Sequence, residues 1–173
     1  LALNQVSLGE ADTLDALKET IKAWAEANPA REWIRGRGWL YTPFGDGLPT
    51  RQLLDQLVPD RPAYLVSYDG HTGWANSAAL EIAGITRASE DPVNGAIVRD
   101  GRGEPTGVLK EAAMGLMSQA LPVPTRQERL AAARADVSAD HVRLYKTLGG
   151  GWRPDDSDAT AAPLPDAPPT PRS

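Results

Sequence analysis

The stretch Pro62-Ala63-Tyr64-Leu65-Val66-Ser67-Tyr68 constrains the fold more than any other part of the chain. It is nearly continuously apolar, the pattern of a strand covered on both faces, as in buried parallel sheets. It runs directly into Asp69-Gly70-His71, after which Asn76 is placed to cap a helix through Leu80 and Ile82, closed by Gly84. Upstream, Glu32 to Leu40 reads as a strand, and Thr50 caps a short helix carrying Leu53, Leu54, Leu57 and Val58, which Pro59 stops. Residues 32–84 therefore alternate strand, helix, strand, helix, which argues for parallel α/β architecture.

The flanks extend this pattern. Residues 1–8 alternate weakly, as a short strand would. Asp12 or Thr13 caps a helix over 13–27, in which Leu14, Leu17, Ile21 and Trp24 form one apolar stripe that ends at Asn28-Pro29. Gly95–Arg99 and Pro105–Leu109 flank Asp100-Gly101-Arg102-Gly103, a hairpin signature, and a helix is expected from about Glu111 to Leu121. Thr125-Arg126-Gln127-Glu128 is a capping box that opens a long helix with Leu130, Val137, His141, Leu144 and Leu148 on one face, stopped by Gly149-Gly150-Gly151. The final residues change character. Six of the fifteen prolines lie in 152–173, with Leu164 their only aliphatic residue larger than Ala. The expected organisation is thus one incomplete α/β domain over 1–151 and a Pro/Asp-rich disordered tail over 152–173.

Composition narrows the function classes. The formal charge is −5, from 18 Lys and Arg against 23 Asp and Glu, so the basic excess of a phosphate-backbone binder is missing and no nucleic-acid partner is expected. With no cysteine, disulfide scaffolds, thiolate metal sites and thiol nucleophiles are excluded, while either redox compartment is tolerated. No apolar run approaches a membrane span and the N-terminus has no signal-peptide pattern, so no membrane partner is expected and the location is read as cytoplasmic. Leu1-Ala2-Leu3 reads as a start in mid-protein. Two histidines, His71 and His141, cannot build a multi-histidine metal site.

Candidate chemistry gathers around Asp69-Gly70-His71. Ligands of parallel α/β folds bind beyond the carboxyl ends of strands, and His71 sits at such an end. An imidazole there exchanges a proton near neutral pH or polarises a carbonyl. Asp69 with His71 reads as an acid–base dyad or, more simply, as an Asp-Gly turn. Asn76 opens a helix N-terminus. Trp33, Trp39 and Trp74 line a pocket or fill a core. Lys110 is best read as a solvated lysine, and His141 as a core or interface histidine.

The motifs, taken in order, resemble the metal-dependent amidohydrolase superfamily over about residues 7–135, in the branch of N-substituted formamide deformylase-like proteins. They are Trp33-Ile34-Arg35-Gly36-Arg37-Gly38-Trp39, Leu48-Pro49-Thr50-Arg51, Pro59-Asp60-Arg61-Pro62, Asp69-Gly70-His71, Trp74 with Asn76-Ser77, Ala83-Gly84-Ile85-Thr86 and Gly103-Glu104-Pro105-Thr106-Gly107-Val108-Leu109. The resemblance implies a segment of a (β/α)8 TIM barrel with an inserted β-hairpin and a long C-terminal helix. A closed barrel needs roughly 200 or more residues, so this chain holds part of one.

The resemblance also implies a zinc or other divalent metal in the full-length family, held by an H-x-H, a modified lysine, further histidines and an aspartate. None of these ligands is matched here, and Lys110 does not occupy the modified-lysine motif. His71 matches a pocket-facing histidine and takes a catalytic, substrate-polarising role. Trp39, Asp69, Trp74 and Asn76 are the expected substrate contacts. The implied function is a fragment of a hydrolase of carbon–nitrogen bonds in small non-peptide amides, inactive alone and binding no metal itself. The alternative is a non-catalytic binding or oligomerisation module that self-associates through open strand edges.

Overall fold

The computed structural model describes residues 5–122. Six strands form one sheet in the order β1-β2-β3-β4-β6-β5, and four α-helices accompany it. The strands are β1 (Val6–Ser7), β2 (Ile34–Trp39), β3 (Ala63–Ser67), β4 (Thr72–Ala75), β5 (Gly95–Arg99) and β6 (Pro105–Glu111). The helices are α1 (Leu14–Ala27), α2 (Arg51–Leu57), α3 (Ser77–Ile82) and α4 (Met114–Ala120).

The first half follows the expected alternation. In α1, Thr13 is the N-cap and its Oγ1 accepts from Ala16 N–H at 3.2 Å. Leu17, Ile21 and Ala25 are buried at helical spacing, with Leu14 and Trp24 packed partly against the same core. The Arg61 guanidinium donates to Ala25 O at 2.9 Å in the last turn of α1, and to Asn28 O at 2.7 Å and Arg31 O at 3.1 Å just beyond it. Thr50 caps α2 as read from the sequence. Strands β1, β2 and β3 pair in parallel.

The second half departs from it. Residues 72–75 were expected to form a loop leading into a helix, but they are strand β4, antiparallel to β3 and to β6. A turn over Tyr68–His71 reverses the chain, with Gly70 at φ +79° and its N–H on Ser67 O at 3.2 Å. The sheet is therefore mixed rather than wholly parallel. Four residues are too few to show a strand period, and β4 is buried along its whole length between two neighbours. The expected hairpin forms as β5 and β6, but it is continuous with the main sheet through β4. Because β6 extends to Glu111, the helix expected from that residue begins at Met114. The long helix over 125–148, its Gly149–Gly151 stop, the domain limit at 151 and the tail lie outside the described residues.

Two cores form because successive strand residues point to opposite faces. One gathers Leu17 and Ile21 of α1, Leu54 of α2, Ile34, Ala63, Leu65 and both Trp39 and Trp74. The other gathers Tyr64, Ala75, Ala79 and Leu80 of α3, Ile97, Leu109 and Met117 of α4. Helix α3 is capped by Asn76 and closed by Gly84 at φ +66°, with Ile85 N–H returning to Leu80 O at 2.9 Å, a Schellman ending.

Candidate functional site

The turn between β3 and β4 holds the polar groups together. Asp69 Oδ1 accepts from Ser67 Oγ at 2.5 Å and from the His71 backbone N–H at 3.0 Å. Ser67 Oγ accepts in turn from Thr72 N–H at 3.0 Å. The Tyr41 hydroxyl lies 3.2 Å from Asp69 Oδ2 and 2.7 Å from Thr72 Oγ1. A hydroxyl carries one proton, so the network closes when Thr72 donates to Tyr41 and Tyr41 donates to the carboxylate. The Ser67 hydroxyl, the His71 N–H and the Tyr41 hydroxyl hold the Asp69 carboxyl below the usual carboxylate range, against a smaller opposing effect of burial.

His71 projects from the other side of this turn. Its Nδ1 is 3.1 Å from Glu111 Oε2, and the Glu111 backbone N–H donates to His71 O at 3.0 Å. Both side chains face solvent, 65% and 58% exposed. The hydrogen bond to Glu111, then the charges of Glu111 and Asp69, raise the His71 pKa above the ordinary imidazole value. With Nδ1 engaged, Nε2 is the ring atom left to meet a ligand.

Of the polar residues gathered at this turn, the sequence points to Asp69 and His71 and gives no sign of Glu111, Tyr41, Ser67 or Thr72. Glu111 lies 40 residues from its partner. Only the β4–β6 pairing, with Thr72 opposite Lys110, brings them side by side. No local motif signals that register.

The remaining expected contacts have structural positions. Trp39 is fully buried and donates through Nε1 to Leu65 O at 3.1 Å. Trp74 is fully buried and donates to Thr50 O at 2.9 Å. Their rings and that of Phe44 meet edge to face at 5.7–6.3 Å. The Asn76 amide is spent on the backbone: Oδ1 accepts from Ala63 and Ala79, and Nδ2 donates to Val58 and Arg61. All three are buried and offer no exposed surface to a substrate, and Asn76 lies at the end of the β3–β4 pair opposite to the Asp69–His71 turn, beside Ala63. Trp33 packs partly against the second core. Lys110 lies on β6, half-buried, and His141 is outside the described residues.

Among the described residues no group of three or more His, Cys, Asp or Glu is placed to hold a metal ion. His71 with Asp69 and Glu111 does not make such a set. The described residues therefore do not fit the metal that the resemblance implies. A cavity of about 190 Å³ lies elsewhere, between β2, β3 and α4, lined by Arg35, Tyr64, Val66, Met114 and Ser118 among others. None of the expected site residues lines it.

Residues 1–164 match the model of the amidohydrolase family. The chain belongs to that family. It is 39% identical over 120 residues to the putative amidohydrolase YtcJ of Bacillus subtilis, covering 68% of this chain and 22% of that protein. It is 38% identical over 109 residues to the N-substituted formamide deformylase of Arthrobacter pascens, covering 62% of this chain and 20% of the deformylase. It is likewise 38% identical over 133 residues to protein LONG AFTER FAR-RED 3 of Arabidopsis thaliana, covering 75% of this chain and 23% of that protein. An uncharacterized metal-dependent hydrolase from Pyrococcus furiosus superposes with a TM-score of 0.52 at 25% identity, over 73% of this chain and 23% of that one. This amidohydrolase-family chain thus spans less than a quarter of each of these relatives. Among the described residues no helix is long and apolar enough to cross a membrane.

Proposed function

We propose that this chain is the substrate-pocket segment of a metal-dependent hydrolase acting on carbon–nitrogen bonds of small non-peptide amides. The observation that carries the reading is the exposed His71 imidazole, engaged at Nδ1 and free at Nε2, in a chain that belongs to the amidohydrolase family. In this reading His71 donates from Nε2 to the carbonyl oxygen of the substrate, and Asp69 fixes the turn that carries it. Trp39 and Trp74 act by packing beneath Tyr41, which bonds Asp69, and Asn76 acts at the other end of β3 by fixing the start of that strand and of α3. Three parallel strands with α1 and α2 against one core support a place within a partial TIM barrel. The zinc or other divalent metal, which would activate water, belongs to residues other than those described, and a cytoplasmic setting goes with the same reading.

Two measurements test it. The isolated chain is expected to bind no stoichiometric zinc by elemental analysis and to hydrolyse no amide; bound metal with chelator-sensitive turnover would refute this. In a chimera whose matching stretch of the Arthrobacter pascens deformylase is replaced by this chain, His71→Asn is expected to lower kcat/KM by about 10²-fold or more. Unchanged turnover in that variant removes His71 from the reaction.

A second reading rests on the two sheet edges. Among the described strands β1 and β5 each have one neighbour, so a copy of the chain could add to either. Light scattering that shows a stable dimer at micromolar concentration would favour an assembly module.

A further inference from the structure

We propose that Glu111 is the positioning residue of this site: its carboxylate fixes the His71 imidazole through Nδ1 and aims Nε2 at the carbonyl oxygen of an amide substrate. The inference rests on the reading of His71 as the substrate-facing group and adds the residue that controls it.

The backbone supplies the first argument. Glu111 has φ +51°, in the left-handed region. Among the described residues only Asn94 shares this without being glycine, and asparagine tolerates it far better than glutamate. Glu111 is the second residue of the turn that ends β6, where Ala113 N–H returns to Lys110 O at 3.0 Å, and this left-handed position holds a glutamate rather than a glycine although the side chain is 58% exposed. A glycine would close that turn without strain; what glutamate adds is a carboxylate 3.1 Å from His71 Nδ1, beside the Glu111 N–H bond to His71 O that continues the β4–β6 ladder.

The second argument is the use of the other carboxylate. Asp69 also faces His71, but its oxygens are taken by Ser67, the His71 N–H and Tyr41. Glu111 from β6 is therefore the acceptor left for the ring. The charged groups acting on His71 are these two carboxylates, and both favour the imidazolium. A carboxylate on Nδ1 selects the Nδ1–H tautomer in the neutral ring and leaves Nε2–H as the outward donor once protonated.

The test is a pH titration of the 173-residue chain followed by ¹H–¹⁵N spectra of labelled histidine, with His141→Gln to assign the His71 signals. His71 is expected to titrate above free imidazole and, when neutral, to favour the Nδ1–H form. Glu111→Gln and Glu111→Asn should lower the midpoint towards that of free imidazole and abolish the tautomer bias. Added salt should shrink the midpoint shift in the parent chain. Asparagine relieves the backbone, so a merely structural role predicts a higher melting temperature with an unchanged imidazole. Midpoint and tautomer equal to the parent chain in both variants would overturn the proposal. Unchanged turnover in the His71→Asn chimera alongside a responsive imidazole would instead overturn the catalytic reading of His71 and leave its pairing with Glu111 standing.

Discussion

Asp69 occupies a position where Asp-Gly is ordinary turn chemistry, and its Oδ1 does accept the His71 N–H two residues on, as an Asx turn requires. The structure adds Ser67 and Tyr41, from the end of β3 and from the segment after β2. These bonds favour the ionised carboxyl, so its pKa is lower in the folded chain than in the unfolded one. The stability it contributes is full above the unfolded value and disappears as pH falls through the folded one. Asp69→Asn should therefore destabilise at pH 7, by at most about 1 kcal/mol because the group is exposed, and the difference should vanish in strong acid. Denaturant melts of both proteins at several pH values check this; a difference that persists at low pH would assign the effect to packing. For His71 the sign is opposite: its contribution is full below the unfolded imidazole value and lost as pH rises through the higher folded one.

At the scale of elements, legibility depended on length. The fourteen residues of α1 repeat their apolar stripe often enough to be read, and Thr13 and Asn28 mark its ends. The four residues of β4 cannot display a period, so the pairing that joins β3 to the β5–β6 hairpin was invisible. That join depends on close approach at Gly107, which has φ +101° and where a Cβ would lie 2.4 Å from Ala75 O and 3.0 Å from Arg51 N. Both obstacles are backbone. Gly107→Ala is expected to cost about 2–3 kcal/mol, whereas Gly101→Ala, with nothing within 4 Å, should be nearly neutral. Paired chemical denaturation curves test the contrast; equal midpoints would show that the β4–β6 junction yields easily.

For the whole molecule, the two buried tryptophans do more than line one face. Trp39 and Trp74 meet across the parallel and antiparallel halves of the sheet, each tied by its indole N–H to a backbone carbonyl. Trp74→Ala is expected to cost about 3–5 kcal/mol, a large share of a domain's typical margin, and to broaden or abolish the cooperative thermal transition followed by near-ultraviolet circular dichroism. A sharp transition near the parent temperature would mean that the halves are held together elsewhere.

Local chemistry determined much of this protein from sequence alone. Caps, helical stripes, a buried strand and a hairpin turn are each decided by residues within a few positions of one another, and the ordered motifs carried the family. The antiparallel fold-back at Thr72, the burial of Trp39, Trp74 and Asn76, and the meeting of His71 with Glu111 were decided only in three dimensions. Strand register joins residues 40 apart, and nothing in the local sequence encodes which backbone will lie alongside.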